Sequence, residues 1–131
     1  MAIKVVLDTN ILVSALINEK GKPRKILNLF YDKEILVYYS DDIIEEYKEV
    51  LSRKELGINP EKVGKVINAI RKIGLRVEPL QSNFEMPDES DRIFYDTAQL
   101  TSSWLITGNV KHYPDENFII TVSDFCEKFR I

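Results

Sequence analysis

Three acidic residues lie far apart in this sequence at positions from which they could share one cation. Asp8 directly follows the apolar run at residues 3–7, which predicts a buried strand. An acid there would lie at the carboxyl end of a strand, where open α/β sheets bind their ligands. Glu46 and Asp91 follow in segments with helical spacing. Neighbouring carboxylates resist joint ionisation unless a cation offsets their charge, so a shared position would predict a metal site.

Helix geometry selects Glu46 from its acidic neighbours. At about 100° per residue, the apolar residues of segment 43–51 form one stripe. Glu46 lies at the border of that stripe, whereas Glu45 and Glu49 point away from it, toward solvent. The alternative for Glu46 taken alone is a solvated acid at the stripe margin, because surface acids outnumber functional ones.

Asp91 is selected by the same argument, in a helix predicted over about residues 91–101. It shares one face with three residues at spacings i+3, i+4 and i+7, namely Phe94, Tyr95 and Ala98. Helix-dipole complementation is the alternative, and contributes only about 0.3–1 kcal/mol. That simpler role suits Asp88 and Glu89 better. Asp96 falls on another side of the helix, as an accessory acid or a partner in a helix ion pair.

The tripeptide Thr107-Gly108-Asn109 follows another predicted strand and supplies a fourth polar element. Gly108 permits a tight turn, and its two neighbours offer oxygen atoms. The alternative is an ordinary turn at a strand end. An all-oxygen site favours Mg²⁺ or Mn²⁺. Zinc would need ligand-spaced His or Cys, and the chain has only His112 and Cys126.

The elements that must position these residues alternate between strand and helix. The strands are predicted near residues 3–7, 35–39, 75–77, 103–107 and 118–122. Helix N-caps are predicted at Asn10, Ser40, Asn59, and Ser123 or Asp124. This alternation predicts an α/β fold with a mostly parallel sheet covered on both faces. With 131 residues and no linker or repeat, we expect one domain over residues 1–131.

Composition limits the class of protein. The apolar content of 44% and charged content of 30% are typical of a soluble globular chain. No apolar run reaches the roughly 20 residues that span a bilayer, and no secretory leader is visible. The single cysteine, Cys126, suits a reducing cytoplasm. The net charge of −3 argues against a globally basic nucleic-acid binder, although an acidic site and a basic rim can coexist.

The order and spacing of these segments resemble PIN-domain ribonucleases, above all the small prokaryotic PIN proteins of type II toxin–antitoxin systems. The matching segments are residues 5–10, 40–51, 88–94 with Ala98, and 107–109. The resemblance implies a three-layer α/β/α sandwich and an endoribonuclease that depends on Mg²⁺ or Mn²⁺. It also implies a homodimer and a cognate antitoxin protein as partner.

The resemblance carries over to individual residues. Asp8, Glu46 and Asp91 fall on three acidic positions of the family, as metal ligands and catalytic residues. Asn109 stands where Asp is common; it keeps a carbonyl oxygen but loses one charge, which should weaken a second ion more than the first. Asn10 and Thr107 match polar positions of the family that orient the acidic cluster or an attacking water.

Cations near these acids would be needed to dock RNA. Lys22, Arg24 and Lys25 follow the first predicted helix, and Lys111 follows the fourth element. These residues are candidates for RNA phosphate contacts, with a solvated loop as an equally good explanation of all four. His112 could touch a phosphate, but we interpret it as an exposed loop residue.

The predicted function is metal-assisted hydrolysis of RNA phosphodiester bonds, leaving a 5′-phosphate and a 3′-hydroxyl. A haloacid-dehalogenase-type phosphatase competes less well, because it needs a second Asp where Asn10 stands. A phosphoacceptor receiver domain would need an acidic pair near the first strand. The alternative from another class is a non-catalytic PIN module that binds RNA or protein, and Asn109 keeps that alternative open.

Overall fold

Five strands form one parallel sheet in the computed structural model, which describes residues 2–131. The strands are β1 (Ile3–Leu7), β2 (Ile35–Tyr39), β3 (Leu75–Arg76), β4 (Trp104–Ile106) and β5 (Ile119–Ile120). Their order in the sheet is β3-β2-β1-β4-β5, and every neighbouring pair is parallel. The central strand β1 buries Val5, Val6 and Leu7 almost completely, as expected for a strand covered on both faces. The predicted parallel sheet is therefore confirmed.

Within residues 2–131, six α-helices surround this sheet. They are α1 (Thr9–Ile17), α2 (Lys22–Tyr31), α3 (Asp41–Leu51), α4 (Pro60–Ile73), α5 (Arg92–Thr101) and α6 (Val122–Phe129). Helix α5 packs across β1, β2 and β4, while α1 contacts α2 and α3. Three short 3₁₀ helices lie at Lys54–Leu56, Glu89–Asp91 and Val110–His112. The arrangement is the α/β/α sandwich that the sequence predicted.

Two of the predicted helix caps are confirmed. Ser40 caps α3, since its Oγ accepts a hydrogen bond from the Ile43 amide at 3.2 Å. Asn59 caps α4, since its Oδ1 accepts from the Glu61 amide at 2.9 Å. Each cap satisfies an amide that the first helical turn leaves without a partner.

Two other predicted caps are wrong. Asp8, not Asn10, occupies the cap position of α1, so the helix begins directly after the strand tip. Helix α6 is capped by Thr121, whose Oγ1 accepts from the Asp124 amide at 3.1 Å. Ser123 and Asp124 lie inside that helix, because β5 is shorter than predicted and the helix starts earlier.

The parallel topology brings several polar strand-end residues to one edge of the sheet. Asp8 follows β1, Ser40 follows β2 and Thr107 follows β4. The register pairs Leu7 with Ile106, which places Asp8 beside Thr107 across neighbouring strands. The Asp8 amide extends this pairing by donating to the Ile106 carbonyl at 3.0 Å. Within residues 2–131, no helix has both the length and the apolar character to span a membrane.

Candidate metal centre

Asp8 is buried at the tip of β1 and is held by two hydroxyl groups. The residue is only 7% exposed. Thr107 Oγ1 donates to Asp8 Oδ2 at 2.7 Å, and the Tyr113 hydroxyl donates to the same oxygen at 2.9 Å. Within residues 2–131 no hydrogen bond reaches the other carboxylate oxygen, Oδ1. Asp8 is thus fixed in orientation with one oxygen left for a ligand.

Tyr113 is a site residue that the sequence did not identify. Burial raises the pKa of its hydroxyl, and the negative charges of Asp8 and Asp91 raise that pKa further. The hydroxyl therefore stays protonated and remains a donor. Only its neighbour Pro114 marks this segment as a turn, and no periodic pattern points from Tyr113 to the first strand.

Glu46 lies where helix phasing put it, at the border of the buried face of α3. It is half-buried, whereas Glu45 and Glu49 are exposed. Thr9 Oγ1 donates to Glu46 Oε2 at 3.1 Å. This hydrogen bond joins the first residue of α1 to α3, so Glu46 is tied to the residue next to Asp8. Nothing in the sequence pattern assigned this role to Thr9.

A buried tyrosine fixes the same helix to the tip of β1. The Tyr47 hydroxyl donates to the Leu7 carbonyl, immediately before Asp8. Tyr47 is fully buried, and it belongs to the apolar stripe that selected Glu46. The stripe therefore does two things at once: it packs α3 onto the sheet and sets the position of Glu46 relative to Asp8.

Asp91 ends the 3₁₀ helix Glu89–Asp91, immediately before α5. Its Oδ2 atom is buried and has no hydrogen-bond partner within residues 2–131. Burial raises the pKa of Asp91 to about 6, and the charges of Asp8, Asp88 and Glu46 contribute in the same direction. A carboxylate in this condition has no hydrogen-bond donor to offset the cost of burying its charge.

Asn109 and His112 complete this half of the site. Asn109 Nδ2 lies 2.9 Å from His112 Nε2, and His112 Nδ1 lies 3.5 Å from Asp91 Oδ2. The proximity of His112 lowers the pKa of Asp91, opposing the effect of burial. His112 is half-exposed, as an exposed loop residue would be, but its contacts with two site residues were not predicted from the sequence.

Asp88 has a structural role and also lies near the site. It caps the 3₁₀ helix, since its Oδ1 accepts from the Ser90 amide at 3.0 Å and from the Ser90 hydroxyl at 2.7 Å. These hydrogen bonds lower the pKa of Asp88. One ligand atom from each of Asp88, Asp91 and His112 lies within 4.8 Å of the other two. The capping role inferred from the sequence for Asp88 agrees with these contacts.

Asn10 and Thr107 organise the turn that carries Asn109. Asn10 Oδ1 accepts from the Gly108 amide at 3.2 Å, and Thr107 Oγ1 accepts from the Asn109 amide at 3.1 Å. A chain of hydrogen bonds therefore runs from Asp8 through Thr107 to the backbone of Asn109. Both residues contact this turn, and their role in orienting metal ligands or an attacking water stays a prediction.

The candidate RNA-contacting cations are not all near this cluster. Lys111 lies on the 3₁₀ helix Val110–His112, directly after Asn109. Arg24 instead contacts Asn28 at 3.0 Å and Glu19 at 3.8 Å. Lys22 and Lys25 of the same segment instead lie near Cys126 of α6. Burial raises the pKa of the Cys126 thiol, and the charges of these two lysines lower it by a smaller amount.

Asp96 does not form the simple helix ion pair that was one of its two predicted roles. It is buried, and its Oδ2 accepts from the Ser82 amide at 3.0 Å. Arg92 pairs with Glu89 instead, at 2.6 Å. Asp96 therefore ties the loop before α5 to that helix, because its position on the helix faces residues 79–82 rather than solvent.

Within residues 2–131, the predicted set Asp8, Glu46 and Asp91 does not bring one ligand atom from each residue within 4.8 Å of the others, as Asp88, Asp91 and His112 do, but each of the three offers oxygen atoms of the kind that divalent cations bind. Asp8 offers a free carboxylate oxygen, Glu46 a half-buried carboxylate, and Asp91 an oxygen that lacks a partner. A cation among them would offset the repulsion that raises the pKa of Asp91. The donors are oxygen atoms, the ligands preferred by Mg²⁺ and Mn²⁺.

Comparison with known proteins places this arrangement in a family. The PIN domain family matches residues 4–111, and the chain therefore belongs to that family. The resemblance inferred from the sequence is confirmed. PIN domains are generally nucleases, which supports a hydrolase as the broad class of activity.

One similar protein and one similar structure illustrate this membership. The chain is 38% identical over 112 residues to the uncharacterized protein MJ1680 of Methanocaldococcus jannaschii, covering 82% of this chain and 71% of that protein. Its fold is similar to a chain in the crystal structure of VapBC2 from Rickettsia felis bound to a DNA fragment from their promoter. That match has a TM-score of 0.56 at 18% identity and covers 91% of this chain and 97% of the other. At this identity the match speaks for the fold alone.

Proposed function

We propose that the protein is a metal-dependent endoribonuclease that acts as the toxin of a type II toxin–antitoxin system. The observation that carries this proposal is the condition of Asp91, a buried carboxylate oxygen without a partner and under the influence of Asp8 and Glu46. Asp96 Oδ1 is also buried without a partner, so what distinguishes Asp91 is the added proximity of other acids, Asp8 and Glu46, to its unpaired buried oxygen. Membership of a generally nucleolytic family supports the same function.

Asp8, Glu46 and Asp91 would hold Mg²⁺ or Mn²⁺, with the Asn109 carbonyl as a neutral fourth donor. When bound, such a cation supplies Lewis-acid chemistry: it acidifies water and offsets charge on a phosphate. Thr107 fixes the orientation of Asp8 for this role, and Thr9 fixes that of Glu46. The polar contacts of the protein thus orient the carboxylates rather than neutralise them.

The chain's own residues also indicate the direction of cleavage. Attack by the RNA 2′-hydroxyl commonly uses a pair of acid–base groups, and His112 is the single histidine of the chain. Hydrolysis by water should therefore leave a 5′-phosphate and a 3′-hydroxyl. Lys111, two residues after Asn109, would contact an RNA phosphate at the site. Lys22, Arg24 and Lys25 would contribute only to a more distant part of the RNA.

The fold similarity to a VapBC complex supports an antitoxin protein as partner. We further propose a homodimer of single-domain chains over residues 1–131, located in the cytoplasm. Light scattering on the purified protein, alone and with a co-expressed antitoxin, measures both assemblies. A monomer at all concentrations would contradict the homodimer without touching the nuclease proposal.

A nuclease assay with matched variants tests the activity. Single-stranded and structured RNAs are incubated with Mg²⁺, Mn²⁺ or EDTA, using the wild-type protein, Asp8→Asn and the control Asp115→Asn. Asp115 is an exposed acid, so its loss of charge should leave cleavage unchanged. We expect cleavage only with metal and at least about 100-fold less with Asp8→Asn. Metal-independent cleavage, or equal cleavage by Asp8→Asn, would sink the proposal.

A non-catalytic PIN module is the second candidate, and Asn109 is the observation that favours it. The family position is commonly an acid, and here the amide nitrogen of Asn109 is engaged with His112. Such a module would bind RNA or a protein partner without cleaving either. Binding of RNA by the wild-type protein, with no cleavage of any RNA in either metal, would support this candidate.

A further inference from the structure

The contact between Asn109 and His112 defines how each side chain is oriented. Asn109 Nδ2 carries only donors, and it lies 2.9 Å from His112 Nε2. His112 Nε2 must therefore accept this hydrogen bond, which places the ring proton of a neutral imidazole on Nδ1. That nitrogen lies 3.5 Å from Asp91 Oδ2, within ion-pair distance but without forming a hydrogen bond. The His112 imidazole therefore lies beside both Asn109 and Asp91.

The same contact has a consequence for the oxygen of Asn109. The nitrogen and oxygen of a side-chain amide point in different directions from the carbon that they share. When Asn109 Nδ2 is hydrogen-bonded to His112, Asn109 Oδ1 therefore points away from the imidazole. Within residues 2–131 no hydrogen bond is donated to Asn109 Oδ1. An unrestrained amide could rotate and present its NH₂ group, which has no lone pair for a cation.

Asparagine makes this orientation matter. A carboxylate at position 109 would present an oxygen whichever way it turned, whereas an amide presents one in only one of two orientations. The backbone of Asn109 is fixed separately, through Thr107 Oγ1 at 3.1 Å. The remaining freedom lies in the side-chain amide, and His112 is the residue that restrains it.

We propose that His112 is a positioning residue that holds the Asn109 amide with Oδ1 available to the metal ion. This role rests on the proposed metal-dependent activity, because Asn109 needs a defined orientation only if its oxygen binds a cation. His112 touches neither the metal nor the RNA in this role. It takes over part of the function that a carboxylate at position 109 would perform without help.

A double-mutant cycle tests the role, using wild-type protein, His112→Ala, Asn109→Asp and the double variant. With Asn109 present, we expect His112→Ala to lower Mn²⁺ affinity and kcat by about 10-fold or more, as for other residues that orient metal ligands. In the Asn109→Asp background, the same change should alter both by less than about 2-fold, because the carboxylate needs no orientation. KM for RNA should be unchanged throughout.

Two further variants separate positioning from a general structural effect. His112→Gln supplies a carbonyl oxygen that can accept from Asn109 Nδ2, so we expect it to recover part of the loss seen with alanine. Val110→Ala truncates an exposed side chain of the same 3₁₀ helix and should change neither Mn²⁺ affinity nor kcat. A loss with Val110→Ala equal to that with His112→Ala would mean that the segment, not the imidazole, is responsible.

A measurement on the metal-free protein reports the hydrogen bond directly. The Asn109 side-chain NH₂ signals in a ¹⁵N spectrum can be assigned by their absence from Asn109→Asp. We expect these signals to shift, and their exchange with water to become faster, in His112→Ala. Unchanged signals would overturn the orientation argument whatever the activity.

The outcomes distinguish this inference from the proposed function. Equal losses from His112→Ala in the wild-type and Asn109→Asp backgrounds would overturn the positioning role alone, since His112 would then act independently of the amide. Normal Mn²⁺ binding without cleavage of any RNA would overturn the nuclease alone. Absence of Mn²⁺ binding by the wild-type protein would overturn both.

Discussion

Two halves of the acidic site differ in how they hold their carboxylates. The anchored side comprises Asp8, Thr107 and Tyr113, and there two hydroxyl groups donate to one buried carboxylate oxygen. The open side comprises Asp91, Asn109 and His112, and there a buried carboxylate oxygen has no hydrogen bond within residues 2–131. Asp8 and Thr107 of the anchored side directly follow β1 and β4, whereas Asp91 and His112 of the open side lie on two 3₁₀ helices.

The difference teaches where the free energy of metal binding would come from. On the anchored side the fold has already satisfied one oxygen of Asp8, so a cation gains a fixed ligand with little ordering cost. On the open side burial raises the pKa of Asp91 to about 6, so the fold alone opposes its charged form. A bound cation would relieve that cost. In metal binding, the anchored side would therefore contribute a ligand that is already ordered, and the open side would contribute favourable free energy by neutralising Asp91.

The largest expected effect on stability comes from removing both donors on the anchored side. Thr107→Val with Tyr113→Phe keeps the shapes of the side chains and leaves Asp8 buried without its two hydrogen bonds. Since a hydrogen bond to a charged group contributes about 1.5–3 kcal/mol, we expect the free energy of unfolding to fall by about 3–5 kcal/mol. Urea unfolding of the metal-free protein at pH 7 measures the change.

A tyrosine elsewhere in the sheet provides the control for this double variant. Tyr38 is half-buried on β2, and Tyr38→Phe should lower the free energy of unfolding by well under about 1 kcal/mol. If the double variant also loses less than about 1 kcal/mol, the two hydroxyls do not anchor Asp8, and the distinction between the sides fails.

The opposite sign is expected on the open side, where Asp91→Asn should stabilise the metal-free protein. The pKa of Asp91 is raised from 3.8 to about 6 by burial and by the charges of Asp8, Asp88 and Glu46, with His112 opposing. The unfolded chain therefore loses this proton at lower pH than the folded one, and wild-type stability falls as pH rises from about 4 to 6. Above that window the cost is constant, and Asp91→Asn should recover about 1–3 kcal/mol of it at pH 7.

Thermal unfolding of wild type and Asp91→Asn at pH 4 and pH 7, without metal, checks this sign. The stabilisation should be present at pH 7 and nearly absent at pH 4, where the folded wild-type carboxyl is also neutral. Added Mn²⁺ should stabilise the wild-type protein more than the variant. A variant less stable than wild type at pH 7 would show that Asp91 has a partner in solution and does not belong to an open side.

Sequence periodicity selected the candidate site residues that lie in or beside regular elements. Glu46 could be chosen over Glu45 and Glu49 because one turn of α3 must face the core, and the structure shows Glu46 half-buried and the other two exposed. The parallel sheet followed from alternating apolar runs. Asp91 was chosen by its spacing from Phe94, Tyr95 and Ala98, which are buried, although the structure buries Asp96 more deeply than Asp91.

Apart from Thr9, the residues that periodicity did not assign lie in the irregular segment 108–118. Tyr113 reaches Asp8 across 105 residues of sequence, and no local pattern encodes such a contact. His112 has the exposure of an ordinary loop residue, so its contacts depend on the path of the whole turn. The cap of α6 was misplaced for a related reason, since the end of a two-residue strand leaves little pattern to read.

A smaller effect is expected when the open side receives the charge that it lacks. Asn109→Asp adds a carboxylate beside Asp91 without adding a hydroxyl donor. We expect the metal-free protein to lose on the order of 1 kcal/mol at pH 7, and Mn²⁺ affinity to rise about 10-fold. Asn117→Asp adds the same charge at an exposed position between His112 and β5, and should change neither quantity.

Calorimetric titration with Mn²⁺ measures both the affinity and the number of ions in this comparison. A second ion bound only by Asn109→Asp would show that the amide limits the wild-type site to one. Equal affinity and number in the wild-type protein and Asn109→Asp would mean that position 109 does not contribute a ligand, and the open side would then reduce to Asp91.

The smallest expected effect concerns Glu46, which belongs to neither side. It has one hydrogen bond, from Thr9 Oγ1, and it is half-exposed, so water can replace that donor. Thr9→Val should therefore change the free energy of unfolding by less than about 1 kcal/mol, while Thr9→Ser, which retains the hydroxyl, serves as the control. Mn²⁺ affinity should fall about 2- to 5-fold in Thr9→Val, because a freed Glu46 must be ordered again on binding. If Thr9→Val lowers the free energy of unfolding as much as the double variant of the anchored side does, water does not replace the Thr9 hydroxyl. Glu46 would then belong with Asp8, as a second carboxylate that the fold holds in a fixed orientation.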